Sequence, residues 1–144
     1  MQPRLSPSFQ SVVDPLHSID LAAHRLRFFR PPLPGPHLPW HSADDLQRCL
    51  GLPPAARLKF LRDNPFRAAT RTVATPDGIA TIAPHFMAQG LISGALDLGL
   101  IQPGFESSYV KGAVAALRQL MGDLPPMARL CYALTAFDND GASQ

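Results

Sequence analysis

Proline locks φ and has no amide hydrogen to donate, so it interrupts helix interiors and is kept out of central strands. Sixteen prolines in this 144-residue chain, with ten glycines, divide it into short elements. The densest cluster, Pro31, Pro32, Pro34, Pro36 and Pro39, excludes a helix or central strand there and leaves an extended connection or a broad hairpin tip. Apolar residues nevertheless make up 46% of the chain and charged residues 17%, which supports one packed interior and argues against global disorder. The length suits one domain with tails, since domains commonly run to about 100–150 residues.

Between these interruptions the pattern alternates strand and helix. Arg25–Arg30 reads as a short edge strand, Leu26 and Phe28 alternating with Arg25 and Arg27, and a second strand is expected around His37–Trp40. A helix opens at Ser42: Asp45 three residues on resembles a capping box, Asp44 and Asp45 suit the positive end of the dipole, and Gly51 suits the position just past the end. A second helix starts at Pro53 or Pro54, with Leu58 and Leu61 inward and Arg57, Lys59 and Arg62 outward, so that the pair mimics a helix-turn-helix. Residues Ala69–Thr75 and Ile79–Ala83 form a hairpin about a Pro-Asp-Gly turn.

Pro84 seeds a further helix ending at Gly99, with Phe86, Met87, Gly90, Leu91 and Gly94 on a close-packing side. Two core helices follow, apolar at Tyr109, Val110, Val114, Leu117, Leu120 and Met121, and at Met127, Leu130, Cys131, Leu134 and Phe137. The expected organisation is a flexible arm over 1–20 whose 11–21 portion docks on the body, a single domain over 21–137 and a disordered tail over 138–144. The fold class is α+β, a small antiparallel sheet or hairpins packed against several short helices, with a C-terminal helical pair.

A net charge of +2 hides an uneven distribution. Residues 25–71 hold Arg25, Arg27, Arg30, Arg48, Arg57, Lys59, Arg62, Arg67 and Arg71 against Asp44, Asp45 and Asp63, nine minus three or +6, leaving −4 elsewhere. Such asymmetry points to a polyanion, and the preponderance of arginine suits bidentate phosphate or guanine contacts. A solvated face with local ion pairs is the competing explanation.

Catalytic chemistry finds no foothold. His37 and His41 are four apart, but the proline between them prevents the helical face that would make a metal pair, so neither a metal site nor a cofactor is expected. No nucleophile elbow or phosphate-binding glycine loop is present. Cys49 and Cys131 lack metal-binding spacing and read as buried thiols. No apolar run reaches the roughly 18 residues of a membrane span, and the start lacks a secretory apolar core, making the cytoplasm the default location. Trp40 is either a partner-binding anchor or a core anchor.

The order of these elements resembles the BRO-N domain of phage antirepressors and viral BRO proteins over about residues 22–100. Trp40, Ala43, Asp45, Leu46, Leu50 and Gly51 correspond to that family's tryptophan-led helix motif, and Thr75, Gly78, Ile82, Gly90 and Leu91 to its hairpin and following helix. His41 stands where the family carries an aromatic residue, and Ile92 where it carries tyrosine. The resemblance implies a non-catalytic regulator of phage or prophage transcription that binds double-stranded DNA. With the charge distribution, it nominates Arg48, Arg57, Lys59, Arg62, Arg67 and Arg71 for DNA, with base contact from the Ser42 or Pro53 helix, and Arg25, Arg27, Arg30 and Trp40 for a partner. The alternative is an antirepressor-like module that sequesters a repressor or other host protein, and the apolar C-terminal helices would serve a partner groove or a homodimer.

Overall fold

A computed structural model describes residues 11–62 and 64–141. Five strands, β1 His17–Leu21, β2 His24–Phe29, β3 Trp40–Ser42, β4 Arg71–Thr75 and β5 Gly78–Ala83, form one antiparallel sheet in the order β1-β2-β3-β5-β4. Among the described residues six helices accompany it: α1 Ala43–Cys49, α2 Pro54–Arg62, α3 Asn64–Ala69, α4 His85–Asp97, α5 Gly104–Met121 and α6 Pro126–Asn139. The α+β class expected from the sequence is the class observed.

Alternation along β2 fills both faces of the sheet. Phe28 joins Leu21, Leu26, Leu46, Cys49, Leu50, Ile92, Phe105 and Tyr109 in the main core, between the sheet and α1, α4 and α5. Phe29 points to the other face, with Trp40, Ile82, Val13, Leu33 and Val73. The Pro31–Pro39 connection and residues 11–16 thus cover apolar surface, the latter tied by Val13 N to the Ala74 carbonyl and Leu16 N to the Phe28 carbonyl, both at 2.8 Å.

β1 lies inside the expected flexible arm. Its hairpin with β2 pairs Leu21 with His24 across Ala22 and Ala23, at φ +51° and +68°. Positive φ at both central positions is the mark of a type I′ turn, usually filled by Asn-Gly or Asp-Gly. Two alanines carry a strained turn whose usual sequence signal is missing. At the other end, the tail expected over 138–144 is docked as far as Gly141: α6 runs to Asn139, whose Nδ2 donates to the Pro36 carbonyl at 2.6 Å, and Asp140 Oδ1 accepts from Phe86 N at 3.2 Å. Residues 1–10 and 142–144 lie outside the described residues.

α1 begins where β3 ends, and its first turn continues the sheet with side chains. The β3 ladders stop at Phe28 on β2 and Ile82 on β5, so the next residues, Arg27 and Thr81, have no β3 partner. Asp45 Oδ2 accepts from Arg27 N at 3.1 Å, and Asp44 Oδ2 accepts from Thr81 N at 2.8 Å. Asp45 also accepts from Arg27 Nε at 2.7 Å and Nη2 at 3.1 Å, while Arg27 Nη1 donates to Thr75 Oγ1 at 3.3 Å, which joins β2, α1 and the β4–β5 turn. Only half of the expected capping box forms: Ser42 Oγ accepts from Asp45 N, but the Asp45 carboxylate is committed to Arg27. Past α1, Gly51 at φ +76° donates to the Arg48 carbonyl and Leu52 N to the Gln47 carbonyl, closing a Schellman motif.

Several expected faces are rotated. The strand expected at Ala69 starts at Arg71, because 64–69 forms α3. α4 buries His85, Ala88, Ile92 and Ala95, while Gly90 and Gly94 are exposed with open space around them. The close glycine contact is at Gly112, where a Cβ would lie 2.6 Å from Ile19 Cδ1 and 3.0 Å from Phe28 Cε2, so that α5 crosses β1 and β2 tightly. Leu58, expected inward, is more than half exposed, and the side chain of Leu61 lies outside the described residues. Val110 and Val114 also face solvent, as do Met127, Leu130, Cys131, Leu134 and Phe137; α6 packs instead through Tyr132, Ala133 and Ala136, whose small members let it approach α5.

Removing Asp45 leaves the Arg27 guanidinium buried without its counter-charge and frees one sheet amide, Arg27 N, together with the Arg27 Nε, Arg27 Nη2 and Arg48 Nη2 donors. Asp45→Ala is therefore expected to cost about 3–5 kcal/mol in urea unfolding, and a loss below about 1 kcal/mol would contradict the role given to this carboxylate.

Candidate nucleic-acid interface

The nine basic residues of 25–71 separate into two groups. Arg27 is buried, its guanidinium held even further above its ordinary value by the hydrogen bond to Asp45, and it is a structural residue and not the partner contact expected from the sequence. Arg48 Nη2 also donates to Asp45, from a half-exposed position. Arg25, Arg27 and Arg48 line a cleft of about 270 Å³ with His24, Asp45 and Asp77, and Asp77 lies 3.9 Å from Arg27 Nη1. Much of the positive charge in this group is neutralised where it stands. Arg30 is exposed just after β2.

The second group is Arg57, Lys59, Arg62, Arg67 and Arg71, on α2, α3 and the start of β4. None of the five forms an ion pair among the described residues. Lys59, Arg62, Arg67 and Arg71 are exposed, and Arg57 is half-buried with Nη1 donating to the Leu52 carbonyl at 3.1 Å. Neither α2 nor α3 has an acidic residue in its first turn, and Lys59, Arg62 and Arg67 lie in last turns, where the helix dipole favours cations. The two helices pack mainly on each other. Arg71 Nη1 donates to the Thr70 carbonyl, and Arg71 with Ala68 and Ala69 forms one wall of a cleft of about 470 Å³ that reaches Leu33, His37, Trp40, Phe86 and Asp140.

Of the two helices expected to contact bases, α1 is buried at Ala43, Asp45, Leu46, Gln47 and Cys49 and exposes Arg48 alone. α1 is therefore too enclosed to enter a groove. Trp40 is buried against Phe29 and Ile82 and is a core anchor.

Neither a family model, nor a curated protein, nor a solved structure matches the chain.

No local signal in the sequence announces a buried polar row beside the core. His41 is fully buried edge-on to Tyr109, His85 stacks on that ring with Nδ1 3.4 Å from the hydroxyl, and the Asp140 carboxylate accepts from Phe86 N at the start of α4. Burial lowers His41 to about 3, also lowers His85, and raises the Tyr109 hydroxyl and the Asp140 carboxyl. Neither ring nitrogen of His41 has a hydrogen-bond partner among the described residues, nor has the amide of Gln47. The described residues contain no cluster of three or more His, Cys, Asp or Glu able to hold a metal, and none of their helices is long and apolar enough to cross a membrane. Burial raises the Cys49 thiol to about 12, while Cys131, expected to be buried, is exposed.

An unfolded chain takes up a proton on His41 below about pH 6.5, whereas the folded protein holds the ring neutral down to about 3. Stability is therefore level above that range and falls on acidification through it, by up to about 1.4 kcal/mol per pH unit for this one group. His85 acts in the same direction. His41→Phe is expected to flatten the decline in unfolding free energy between pH 6 and 4, and parallel wild-type and variant profiles would contradict the assignment.

Proposed function

We propose that the chain is a non-catalytic DNA-binding regulator whose α2–α3–β4 face, with Arg57, Lys59, Arg62, Arg67 and Arg71, contacts the phosphate backbone. The observation that carries this reading is the unpaired state of these five cations among the described residues, beside a core where Arg27 and Arg48 share the Asp45 carboxylate. Concentrated uncompensated charge attracts a polyanion at long range, and arginine adds bidentate phosphate geometry. α2 presents its basic residues on a helix that the core does not enclose, which suits a groove or backbone contact. The resemblance to BRO-N at Trp40, Ala43, Asp45, Leu46, Leu50 and Gly51 supports control of phage or prophage genes, in an antirepressor-like role. A protein-sequestering module is the second reading, favoured by the large apolar residues that α6 exposes.

Five phosphate contacts predict that duplex affinity falls with salt at a log–log slope of about −4.5. Arg57→Ala, Arg62→Ala and Arg67→Ala together should reduce that slope by about 3 and abolish measurable binding at physiological salt, with the melting temperature unchanged. Absence of duplex binding by the wild type at low ionic strength would overturn the reading, and a large stability loss in the triple variant would mark these arginines as structural.

A further inference from the structure

α6 lays its small residues on the protein and turns its large ones to solvent. Ala136 is its buried residue, with Tyr132 and Ala133 packed beside it against Leu38, Leu117, Leu120 and Met121. On the opposite side Met127 is 74% exposed, and Leu130, Leu134 and Phe137 are each more than half exposed. Spacings of three, four and three place these four on a single stripe, the seam of a paired helix. The stripe continues onto α5, where Val110 and Val114, also exposed, flank a cavity of about 110 Å³ that Phe137, Leu117, Leu38 and Pro39 help to line.

We propose that this surface is a homodimer contact in which α6 of two copies pair antiparallel about a two-fold axis at the level of Tyr132. Three observations select a second copy as the occupant. The spacing reads the same in both directions, so Met127 meets Phe137 of the second copy and Leu130 meets its Leu134, and the self-complementary contact closes with no large residue left over. The six residues, from 39% exposed at Val114 to 74% at Met127, put large apolar side chains into solvent along one surface, the kind of patch that marks a protein contact. Charge fits as well. Arg129 is turned to the Gly122 and Leu124 carbonyls, and Asp138 lies at one end of the helix, so an antiparallel pair keeps the two Asp138 carboxylates apart where a parallel pair would oppose them. Met127, beside Phe137 of the second copy, reaches the cavity under Val110 and Val114. The dimer goes beyond the DNA-binding reading and does not depend on it, since none of the basic residues of α2, α3 or β4 lies on the stripe.

Cys131 flanks the seam one residue from the axis, which brings the two copies' thiols to the same side of the contact. Cys49, the other cysteine, is buried, so Cys131 is the accessible thiol. Sedimentation of the full chain at micromolar concentration is expected to give twice the chain mass, and Leu130→Glu with Leu134→Glu a monomer with unchanged far-UV circular dichroism. A short bis-maleimide, which adds one thiol across each of its two double bonds, should join wild-type copies, fail with Cys131→Ser and act about tenfold more slowly on the double glutamate variant. A monomeric wild type, a dimer that survives the two glutamates, or a stripe found covered by a different protein would each overturn the proposal.

Discussion

Asp45 reaches β2 through three donors of one residue, the Arg27 amide, Nε and Nη2, and those bonds fix where the first helix can sit. A three-residue β3 cannot hold β2 and β5 together along their length, so the sheet would open below Ser42. The first turn of α1 fills the gap, Asp45 on one side and Asp44 on the other, with carboxylates standing in for strand carbonyls. Arg27 balances the buried charge and extends the connection to Thr75, which itself accepts from Asp77 N and donates to the Gly78 carbonyl. With β2, α1 and the β4–β5 hairpin held in register, the main core closes on Leu26, Phe28, Leu46 and Leu50, and α5 can approach within the space that Gly112 leaves.

That arrangement also divides the basic segment. Charge counted along the chain treats Arg27, Arg48 and Arg62 alike, yet the first two share one carboxylate while the third faces solvent without a partner among the described residues. The usable positive charge therefore lies further along, on α2, α3 and the first residue of β4. The buried row from His41 through Tyr109 and His85 to Asp140 ties β3, α5 and the α4–α6 junction together, and its two histidines, whose charged forms burial disfavours, make the fold sensitive to acid.

Turns and helix ends are the most legible elements of this sequence. Gly51 and Gly78 adopt positive φ where a helix stop and a hairpin turn were expected, and Ser42 caps α1. The misses have physical causes. β1 was hidden because Ala22 and Ala23 occupy a turn normally announced by asparagine and glycine. The sequence shows Asp44 and Asp45 only as acids suited to the helix dipole, because nothing local reveals the sheet amides they accept from. Periodicity locates the apolar stripe of α6 without saying which of its two faces, large or small, meets the core. Of the nominated site, Lys59, Arg62, Arg67 and Arg71 are exposed on α2, α3 and β4, Arg57 is half-buried on α2, and Arg27 and Trp40 belong to the interior.

In the proposed reading, binding belongs to the α2–α3–β4 segment and structure to the Arg27–Asp45 group. Amide hydrogen exchange of the full chain, with and without a short duplex at low salt, separates the two most directly. The account predicts added protection confined to residues 54–75, with β2 and α1 unchanged. Protection on α1, or no change at residues 54–75 while duplex is bound, would contradict it.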